Sequence, residues 1–338
     1  MGEFSSFWLR NKHKVLSRKP RIGFIDVLDP RILEAFHIIK KLDYIQPFLI
    51  GLNTIKGSLP GDTETEKLPS EHLLTIDDDC HDQLLKLLME KQSKFKVDLD
   101  EVRLQLNDPL YQGIGHLLTN KIDGLVAGSL RPTAEVVKAA LRCIGPKRGN
   151  RLVAGHFLIE TSERHSSDHT PFLFADCAVS PAPSPRGLSL IAKGAADSYH
   201  FYTGKPPRVA FLSFSTNGSA QDELVDRIQE AKKLFHKHNP TFLADGEIQV
   251  DAALDKFVAK IKKVEDSVVA GQANVFIFPT LESGNIGYKL VQRFSRARVA
   301  GPLLWGLEKP VSDLSRGCTV QEIVDTAECL SDLVMRLN

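Results

Sequence analysis

The sequence predicts an α/β fold of two domains, each with a mainly parallel sheet flanked by helices. Short apolar runs alternate along the chain with amphipathic stretches of helical length, which is typical of sheets covered by helices. The first elements are a strand, a helix and a second strand, an order that favours parallel pairing with a crossover helix. With 338 residues the chain is long enough for two domains of ordinary size.

The elements follow from apolar periodicity and end signals. Asp29 followed by Pro30 predicts a helix start, because an acidic cap and a proline in the first turn both suit that position. Predicted strands lie at 21–26, 48–51, 123–128, 151–159, 171–179, 208–214, 274–279 and 302–307. Predicted helices lie at about 30–42, 80–91, 99–118, 133–141, 184–200, 219–238, 284–298 and 320–337. The charged segment 145–150 is the predicted domain boundary.

Composition excludes several classes of protein. Lys and Arg number 43 against 42 Asp and Glu, so no global field recruits nucleic acid. No apolar run has the length of a bilayer span. The five cysteines contain no C-x-x-C pair, which indicates reduced thiols and predicts a cytoplasmic location. Residues 1–20 form a basic leader without the apolar region of a secretory signal; it is either merely solvated or a targeting segment of the mitochondrial type.

One loop near the end of the chain is suited to hold an anion. Ser315, Arg316 and Gly317 lie between the apolar run 302–307 and the start of the last helix. Free backbone N–H groups, the positive end of the helix dipole and a guanidinium can then point at one phosphate. The alternative is a well-capped loop with a surface arginine.

Two further polar groups are candidate binding sites. Ser213, Ser215 and Thr216 follow a predicted strand and precede a predicted helix, so their hydroxyl and N–H groups can form a second anion site. The alternative is a Ser/Thr-rich helix cap. A predicted helix carries Asn285, Lys289, Gln292 and Arg293 on one face. This face either lines the site or is simply solvated.

The run from Lys309 to Cys318 resembles the C-terminal signature of phosphate acetyltransferases, in which K-P-V-N-D-L-S-R-G-C leads into the last helix. The resemblance extends over about residues 20–336, in the same order and with similar spacing. The other stretches that resemble this family lie at 172–177, 209–219, 245–253, 275–279 and 283–293.

The resemblance implies a fold and a reaction. The family has two α/β domains, also similar to the isocitrate/isopropylmalate dehydrogenase-like fold, with the active site in the cleft between them. Here the domains would be 21–148 plus 300–338, and 149–299. The implied reaction, part of acetate metabolism, converts acetyl-CoA and phosphate into acetyl phosphate and CoA. It needs no cofactor beyond these substrates and no metal. We expect a homodimer that binds neither nucleic acid nor membrane.

The resemblance also implies roles for residues. Arg316 matches the family's phosphate-binding arginine, and Ser315 matches its neighbouring serine. Glu322 occupies the position of the catalytic aspartate, although Thr319 and Glu322 also form a capping-box pattern, which is the alternative role. Cys177 matches a cysteine near the site; the alternative is a small buried side chain at a strand end. No acyl-enzyme is expected, because transfer between the bound substrates is direct.

Three departures from the family fall in the first domain, among residues expected to contact the substrates. Arg131 and Thr133 stand where the family has a His-Ser/Thr-Thr run, and Lys138 replaces an arginine. Residues 90–94 replace an Arg-Lys-His-Lys-Gly segment. An Arg-to-Lys change alters bidentate binding of phosphate. The departures fit either a retuned enzyme or a paralogue without turnover.

Other functions remain open at this stage. A non-catalytic sensor of acyl-CoA or acetyl phosphate would keep the fold and lose turnover. Phosphate butyryltransferase is a related activity, although the D-L-S-R-G-C run favours the acetyl branch. A metal-dependent hydroxyacid dehydrogenase rests only on similarity of fold, and the chain has no G-x-G-x-x-G motif.

Overall fold

The structure is a computed structural model that describes residues 18–51, 70–75, 78–150, 152–161, 171–239 and 241–337. Most of the predicted basic leader, residues 1–17, lies outside the described residues. The strands are β1 Arg21–Phe24, β2 Gln46–Ile50, β3 Leu73–Leu74, β4 Gly124–Ala127, β5 Ala154–Glu160, β6 Phe172–Ala175, β7 Arg208–Leu212, β8 Leu243–Ile248, β9 Val275–Ile277, β10 Arg298–Trp305 and β11 Val311–Asp313. The α-helices are α1 Pro30–Lys41, α2 Asp78–Gln92, α3 Leu99–Gln105, α4 Pro109–Leu118, α5 Thr133–Cys143, α6 Pro185–Thr203, α7 Glu223–His238, α8 Val250–Leu254, α9 Lys256–Ile261, α10 Leu281–Ser295 and α11 Val320–Leu337.

The chain divides into two compact units. The middle unit contains residues 150–306, and the terminal unit contains the described residues of 12–149 and 307–338. The sequence placed the second boundary at 299/300, whereas the structure places it at 306/307. The reason is strand pairing: β10 is antiparallel to β5 from Arg298 opposite Glu160 to Trp305 opposite Ala154. All of β10 therefore belongs to the middle unit.

The sheet of the terminal unit is parallel throughout. Its strands follow the order β3-β2-β1-β4-β11, and each neighbouring pair is parallel. The carboxyl ends of parallel strands meet at one edge of a sheet. The segments 25–31, 128–133 and 314–322, which follow β1, β4 and β11, therefore come together. We call these three segments the carboxyl edge.

Helices α1 and α11 cover one face of this sheet. Both are amphipathic: Ile32 and Phe36 of α1 lie in the same buried cluster as Ile323 and Leu330 of α11. Helix α1 begins as predicted, with the Asp29 carboxylate accepting the N–H of Arg31 and Pro30 in the first turn. The last helix of the chain thus completes a core that begins with the first strand.

The helix predicted at 99–118 is wrong as one element. The structure has α3 and α4 there, separated by Leu106, Asn107 and Asp108. Pro109 has no N–H to donate and cannot continue a helix from α3. Asp108 instead caps α4 by accepting the N–H of Leu110 at 2.9 Å.

The middle unit has a mixed sheet of order β10-β5-β6-β9-β7-β8. The pairs β10–β5 and β5–β6 are antiparallel, while β6–β9, β9–β7 and β7–β8 are parallel. Helix α7 begins at Glu223, four residues later than predicted, because Asp222 is its cap and accepts the N–H of Leu224 at 2.8 Å. Within the ranges described, no helix is long and apolar enough to cross a membrane.

Candidate active site

Asp26 joins two segments of the carboxyl edge of the terminal unit through hydrogen bonds. This buried carboxylate follows β1 and accepts the N–H groups of Gly128 at 2.8 Å and Ser129 at 2.9 Å, in the segment after β4. Gly128 has a φ of +102°, and a Cβ there would lie 2.0 Å from Oδ1 of Asp313. Only glycine fits that backbone conformation and that space.

Arg131 is held by two carboxylates. Its Nε lies 3.4 Å from Asp26 Oδ1, and its Nη1 lies 3.1 Å from Asp108 Oδ2. Burial opposes the charge on Arg131, but the hydrogen bonds and charges of Asp108 and Asp26 raise its pKa. These two ion pairs therefore hold the guanidinium of Arg131 at the carboxyl edge.

Asp313, the last residue of β11, is a buried carboxyl group bound to the start of α5. Thr133 Oγ1 donates to Asp313 Oδ2 at 2.5 Å. Burial, together with the charge of the nearby Asp26, raises the pKa of Asp313 to about 7, although the hydrogen bond from Thr133 lowers it. Within the described residues, Oδ1 of Asp313 has no hydrogen-bond partner. This group therefore titrates near neutral pH.

Ser315 and Arg316 lie on a turn between β11 and α11. The N–H of Cys318 donates to the carbonyl of Ser315 at 2.9 Å, which closes the turn. Arg316 is exposed, and among the residues that the structure describes its guanidinium makes no ion pair. The predicted anion loop thus presents an available cation next to the amino end of a helix.

Glu322 closes a capping box at the start of α11. The N–H of Thr319 donates to Glu322 Oε2 at 2.8 Å, and the N–H of Glu322 donates to Thr319 Oγ1 at 3.2 Å. The alternative role that the sequence predicted for Glu322 is therefore confirmed. Its catalytic role stays a prediction, since one carboxylate can cap the helix and still face a substrate.

In the middle unit, the hydroxyl groups of the loop after β7 make hydrogen bonds within the protein. Ser215 Oγ donates to Glu247 Oε1 at 3.4 Å and accepts the N–H of Ala220 at 3.1 Å. Thr216 Oγ1 donates to Gln249 Oε1 at 3.1 Å. Ser213 Oγ accepts the N–H of Ser215 at 3.1 Å. Since Ser215 and Thr216 are also buried, their side chains hold the loop's shape, and the loop does not itself open α7.

The carboxylate of Glu247 anchors this loop from the end of β8. Glu247 Oε1 accepts the N–H of Gly218 at 2.6 Å, and Oε2 accepts the side-chain amide of Gln229 at 2.9 Å. Burial opposes ionisation of Glu247, but the bond from Gly218 and that from Gln229 lower its pKa below the ordinary value. A polar cavity of about 150 Å³ adjoins it, partly lined by Lys232.

Cys177 and α10 meet at the end of β6. Asp176 Oδ1 accepts the N–H of Gly155 at 2.9 Å, and its two oxygens also accept three N–H groups from residues 178–180. Cys177 is fully buried, and burial raises the pKa of its thiol well above the ordinary value. Asn285 Nδ2 donates to the carbonyl of Cys177 at 3.3 Å. Cys177 is thus a packed thiol, as its alternative role predicted.

Comparison with known proteins decides the family. The sequence profile of the phosphate acetyl/butaryl transferases matches residues 7–329. The chain belongs to that family. A phosphate acetyltransferase of Thermoanaerobacterium thermosaccharolyticum is 36% identical over 313 residues, covering 92% of this chain and 94% of the relative. One of Bacillus subtilis is 35% identical over 325 residues, covering 94% and 95%.

Solved structures of the phosphate acetyl/butaryl transferase family agree with this assignment. A phosphotransacetylase from Streptococcus pyogenes superposes with a TM-score of 0.83 at 32% identity, covering 99% of this chain and all of that one. EutD phosphotransacetylase from Staphylococcus aureus gives 0.81 at 32% identity, with the same coverage. The predicted family, the class of acyltransferases and the α/β fold are confirmed.

The structure therefore arranges the predicted residues of this family member in two groups. Arg131, Thr133, Ser315, Arg316 and Glu322 belong to the carboxyl edge of the terminal unit, and Lys138 is exposed on the second turn of α5. Residues of the middle unit form the other group: Ser213, Ser215, Thr216, Cys177, Asn285, Lys289 and Arg293. In neither group do the described residues include three or more His, Cys, Asp or Glu placed to hold a metal ion.

Sequence reasoning missed the residues that hold these groups in place. Asp26 stands at the end of a predicted strand, and an acidic residue there is a signal that could have found it. Asp313 ends β11, a strand that was not predicted. Glu247 lies near the end of β8, a strand that was not predicted. Arg31 gave no signal, because its partners lie in three separate segments of the chain.

The raised pKa of Asp313 predicts a pH-dependent stability. From its ordinary value of 3.8 up to about 7, the folded state keeps a proton that the unfolded chain has lost. The free energy of unfolding should therefore fall as pH rises through this interval, by at most about 1.4 kcal/mol per pH unit. The side chain introduced by Asp313→Asn cannot ionise. The free energy of unfolding of wild type minus that of the variant should therefore decrease from pH 5 to pH 8.

Urea unfolding of both proteins at several pH values checks this. Asp100→Asn is the control, because it makes the same change at a side chain that is 90% exposed. A constant difference between wild type and Asp313→Asn would show that Asp313 is already ionised at pH 5.

Proposed function

We propose that this protein is a phosphate acetyltransferase that interconverts acetyl-CoA plus phosphate and acetyl phosphate plus CoA. An oxygen of phosphate attacks the thioester carbonyl, the carbon–sulfur bond breaks, and CoA leaves as a thiolate that takes up a proton. In reverse, CoA loses that proton, its thiolate attacks acetyl phosphate, and phosphate leaves. Transfer is direct, so no acyl-enzyme and no cofactor beyond the two substrates enters the proposal.

The observation that carries the proposal is the placement of Arg316. It is an exposed arginine on a turn at the carboxyl edge, where α1, α5 and α11 all begin. Helix α5 has Pro132 as its cap residue, so no side-chain oxygen occupies its first N–H groups. A planar guanidinium and free helix N–H groups together suit a phosphate with several oxygens. Family membership supports the same anion.

Each proposed residue has a distinct task. Ser315 and Arg316 bind phosphate and stabilise the charge that develops on oxygen. Glu322 serves as the base for the CoA thiol, with Thr133 and Lys138 as further contacts for the anionic substrates. Arg131 adds positive charge to the phosphate site while it stays paired with Asp26 and Asp108. In the middle unit, the exposed cations Lys289 and Arg293 on α10 attract the anionic CoA. The loops proposed to contact CoA are shaped by Ser213, Ser215, Thr216, Cys177 and Asn285.

We also propose a homodimer in the cytoplasm. Helix α10 exposes Ile286, Leu290 and Phe294 at every fourth position, and Phe294 is 84% exposed. Such an apolar stripe is suited to pairing with its own copy about a two-fold axis. The described cysteines Cys143, Cys177, Cys318 and Cys329 are free thiols, which supports a reducing compartment.

The first prediction from this proposed function concerns Arg316. Replacing it with alanine removes the proposed phosphate clamp, so kcat/KM for phosphate should fall about 10²- to 10³-fold. The assay follows acetyl phosphate formation from acetyl-CoA and phosphate, with arsenate as an alternative acceptor. Arg148→Ala, which removes another exposed turn arginine of the terminal unit, is the control and should retain wild-type kinetics.

Two results would count against this proposal. If Arg316→Ala keeps the wild-type KM for phosphate, the site lies elsewhere. If the wild-type protein binds acetyl-CoA in calorimetry but forms no acetyl phosphate in either direction, the protein is a sensor and not an enzyme.

The second prediction concerns Lys138. Arginine offers a bidentate fork that lysine lacks, so Lys138→Arg should lower KM for phosphate or for acetyl-CoA. Because Lys138 is exposed, the change should leave the melting temperature unaltered. Lys121→Arg provides an equivalent change at another exposed lysine of the same unit. No gain in either KM would show that Lys138 does not face a substrate.

The third prediction separates the two roles of Glu322. If it is the base, Glu322→Gln should lower kcat about 10²- to 10⁴-fold with little change in stability, because glutamine also closes a capping box. Glu322→Asp, which restores the family's residue, should keep activity. Glu322→Ala should additionally cost about 1 kcal/mol of stability or less through loss of the cap.

Activity and thermal unfolding should be measured on the same three variants. An active Glu322→Gln enzyme would remove Glu322 from the chemistry and leave it as a helix cap.

A further inference from the structure

Arg31 commits all its hydrogen-bond donors to the protein. A guanidinium has five N–H groups, and here five acceptors receive them. Nε and Nη2 bind Asp29 Oδ1 and Oδ2 at 2.9 and 2.7 Å. Nη1 binds the carbonyls of Arg316 at 3.0 Å and Cys318 at 2.6 Å. Nη2 also binds the carbonyl of Ser129 at 3.2 Å. Arg31 therefore has no donor left for a substrate.

These bonds join the three segments of the carboxyl edge. Asp29 belongs to the start of α1, Ser129 to the segment after β4, and Arg316 to the segment after β11. Burial opposes ionisation of Asp29, yet the hydrogen bonds and the charge of Arg31 lower its pKa below the ordinary value. The anion loop is thus tied through one cation to a carboxylate of the scaffold.

The bonds also fix which way the loop's peptide groups point. The peptide bond between Arg316 and Gly317 is trans, so its carbonyl and its N–H point in opposite directions. With the carbonyl of Arg316 on Arg31, the N–H of Gly317 points the other way, where it donates to Ser315 Oγ at 3.4 Å. The carbonyl of Cys318 is held on the same side as that of Arg316.

We propose that Arg31 is the positioning residue of the phosphate site: it holds the carbonyl oxygens of Arg316 and Cys318 on one side of the loop, so that the Arg316 carbonyl points away from the phosphate. A carbonyl oxygen facing a bound phosphate would repel it, because the negative end of the carbonyl dipole would face an anion. The side that faces phosphate carries the Arg316 guanidinium and the Ser315 hydroxyl, whose oxygen accepts the Gly317 N–H and whose own hydrogen can be donated. This inference rests on the proposed function, since it concerns the site to which phosphate is assigned.

The test compares Arg31→Gln and Arg31→Lys with a matched control. Arg21 lies in the same unit at the start of β1, and its guanidinium binds Asp123 at 2.9 and 3.0 Å and the carbonyl of Asn120 at 2.6 Å. Arg21→Gln therefore removes a similar network from the opposite edge of the same sheet. For each variant we would measure KM for phosphate, KM for acetyl-CoA, kcat and the melting temperature. Titration calorimetry with inorganic phosphate adds a readout without turnover.

Arg31→Gln should raise KM and Kd for phosphate about 10- to 100-fold, the usual effect of displacing binding groups by about 1 Å. Its KM for acetyl-CoA should change less than about 3-fold. Arg31→Lys keeps the charge but has three donors from one point, so its effect should be intermediate. Arg21→Gln should lower the melting temperature and leave both KM values unchanged.

The outcomes separate this inference from the proposed function. If wild type shows no turnover, the proposed function fails, and the phosphate titrations alone judge Arg31. If wild type turns over and both Arg31 variants keep the wild-type Kd and KM for phosphate, the positioning role is overturned. It is also overturned if KM for phosphate and KM for acetyl-CoA rise equally, or if both variants fail to fold while Arg21→Gln folds.

Discussion

The candidate site depends on the place of β4 between β1 and β11 in a parallel sheet. This pairing brings together segments that are far apart in the chain: Asp26 and Gly128 are 102 residues apart, and Arg31 and Arg316 are 285 apart. Parallel strands deliver their following segments to one edge, where the next helices also begin. The site therefore exists only after the last strand has joined the sheet.

Buried acidic side chains hold the loops of both units in place. Asp26 accepts two backbone N–H groups in the terminal unit, while Asp176 accepts four and Glu247 accepts one in the middle unit. Buried N–H groups outside helices and strands need acceptors, and a carboxylate has room for several. The buried carboxylates thus hold the loop backbones in place, so the exposed groups of these loops remain available to ligands.

The sequence was sufficient for the fold class and for most elements, because apolar periodicity and cap residues such as Asp29 are local signals. It failed at Pro109, where Asn107, Asp108 and the proline itself mark a break that apolar periodicity alone does not show. It also failed for β10, whose assignment to the middle unit depends on pairing with β5 and not on its own composition.

For the candidate site, the sequence identified exposed groups such as Arg316 and missed the side chains that hold those groups in position. Arg31 and Asp313 act through partners on other strands and helices, and such partners leave no trace in local spacing. The capping box of Thr319 and Glu322 was predictable because both of its members lie within one helical turn. Contacts within a turn are encoded locally, whereas contacts across a sheet require the fold.

The packing of α11 against α1 has a consequence for synthesis on the ribosome. The middle unit is contiguous between residues 150 and 306, so it can fold as soon as that stretch has emerged. The first part of the terminal unit emerges earlier, but its apolar surface around Phe36 is covered only when Ile323 and Leu330 arrive. Nascent chains will therefore expose this surface while more than half of the protein is still being translated, and that interval is when chaperones that bind apolar segments have access to it.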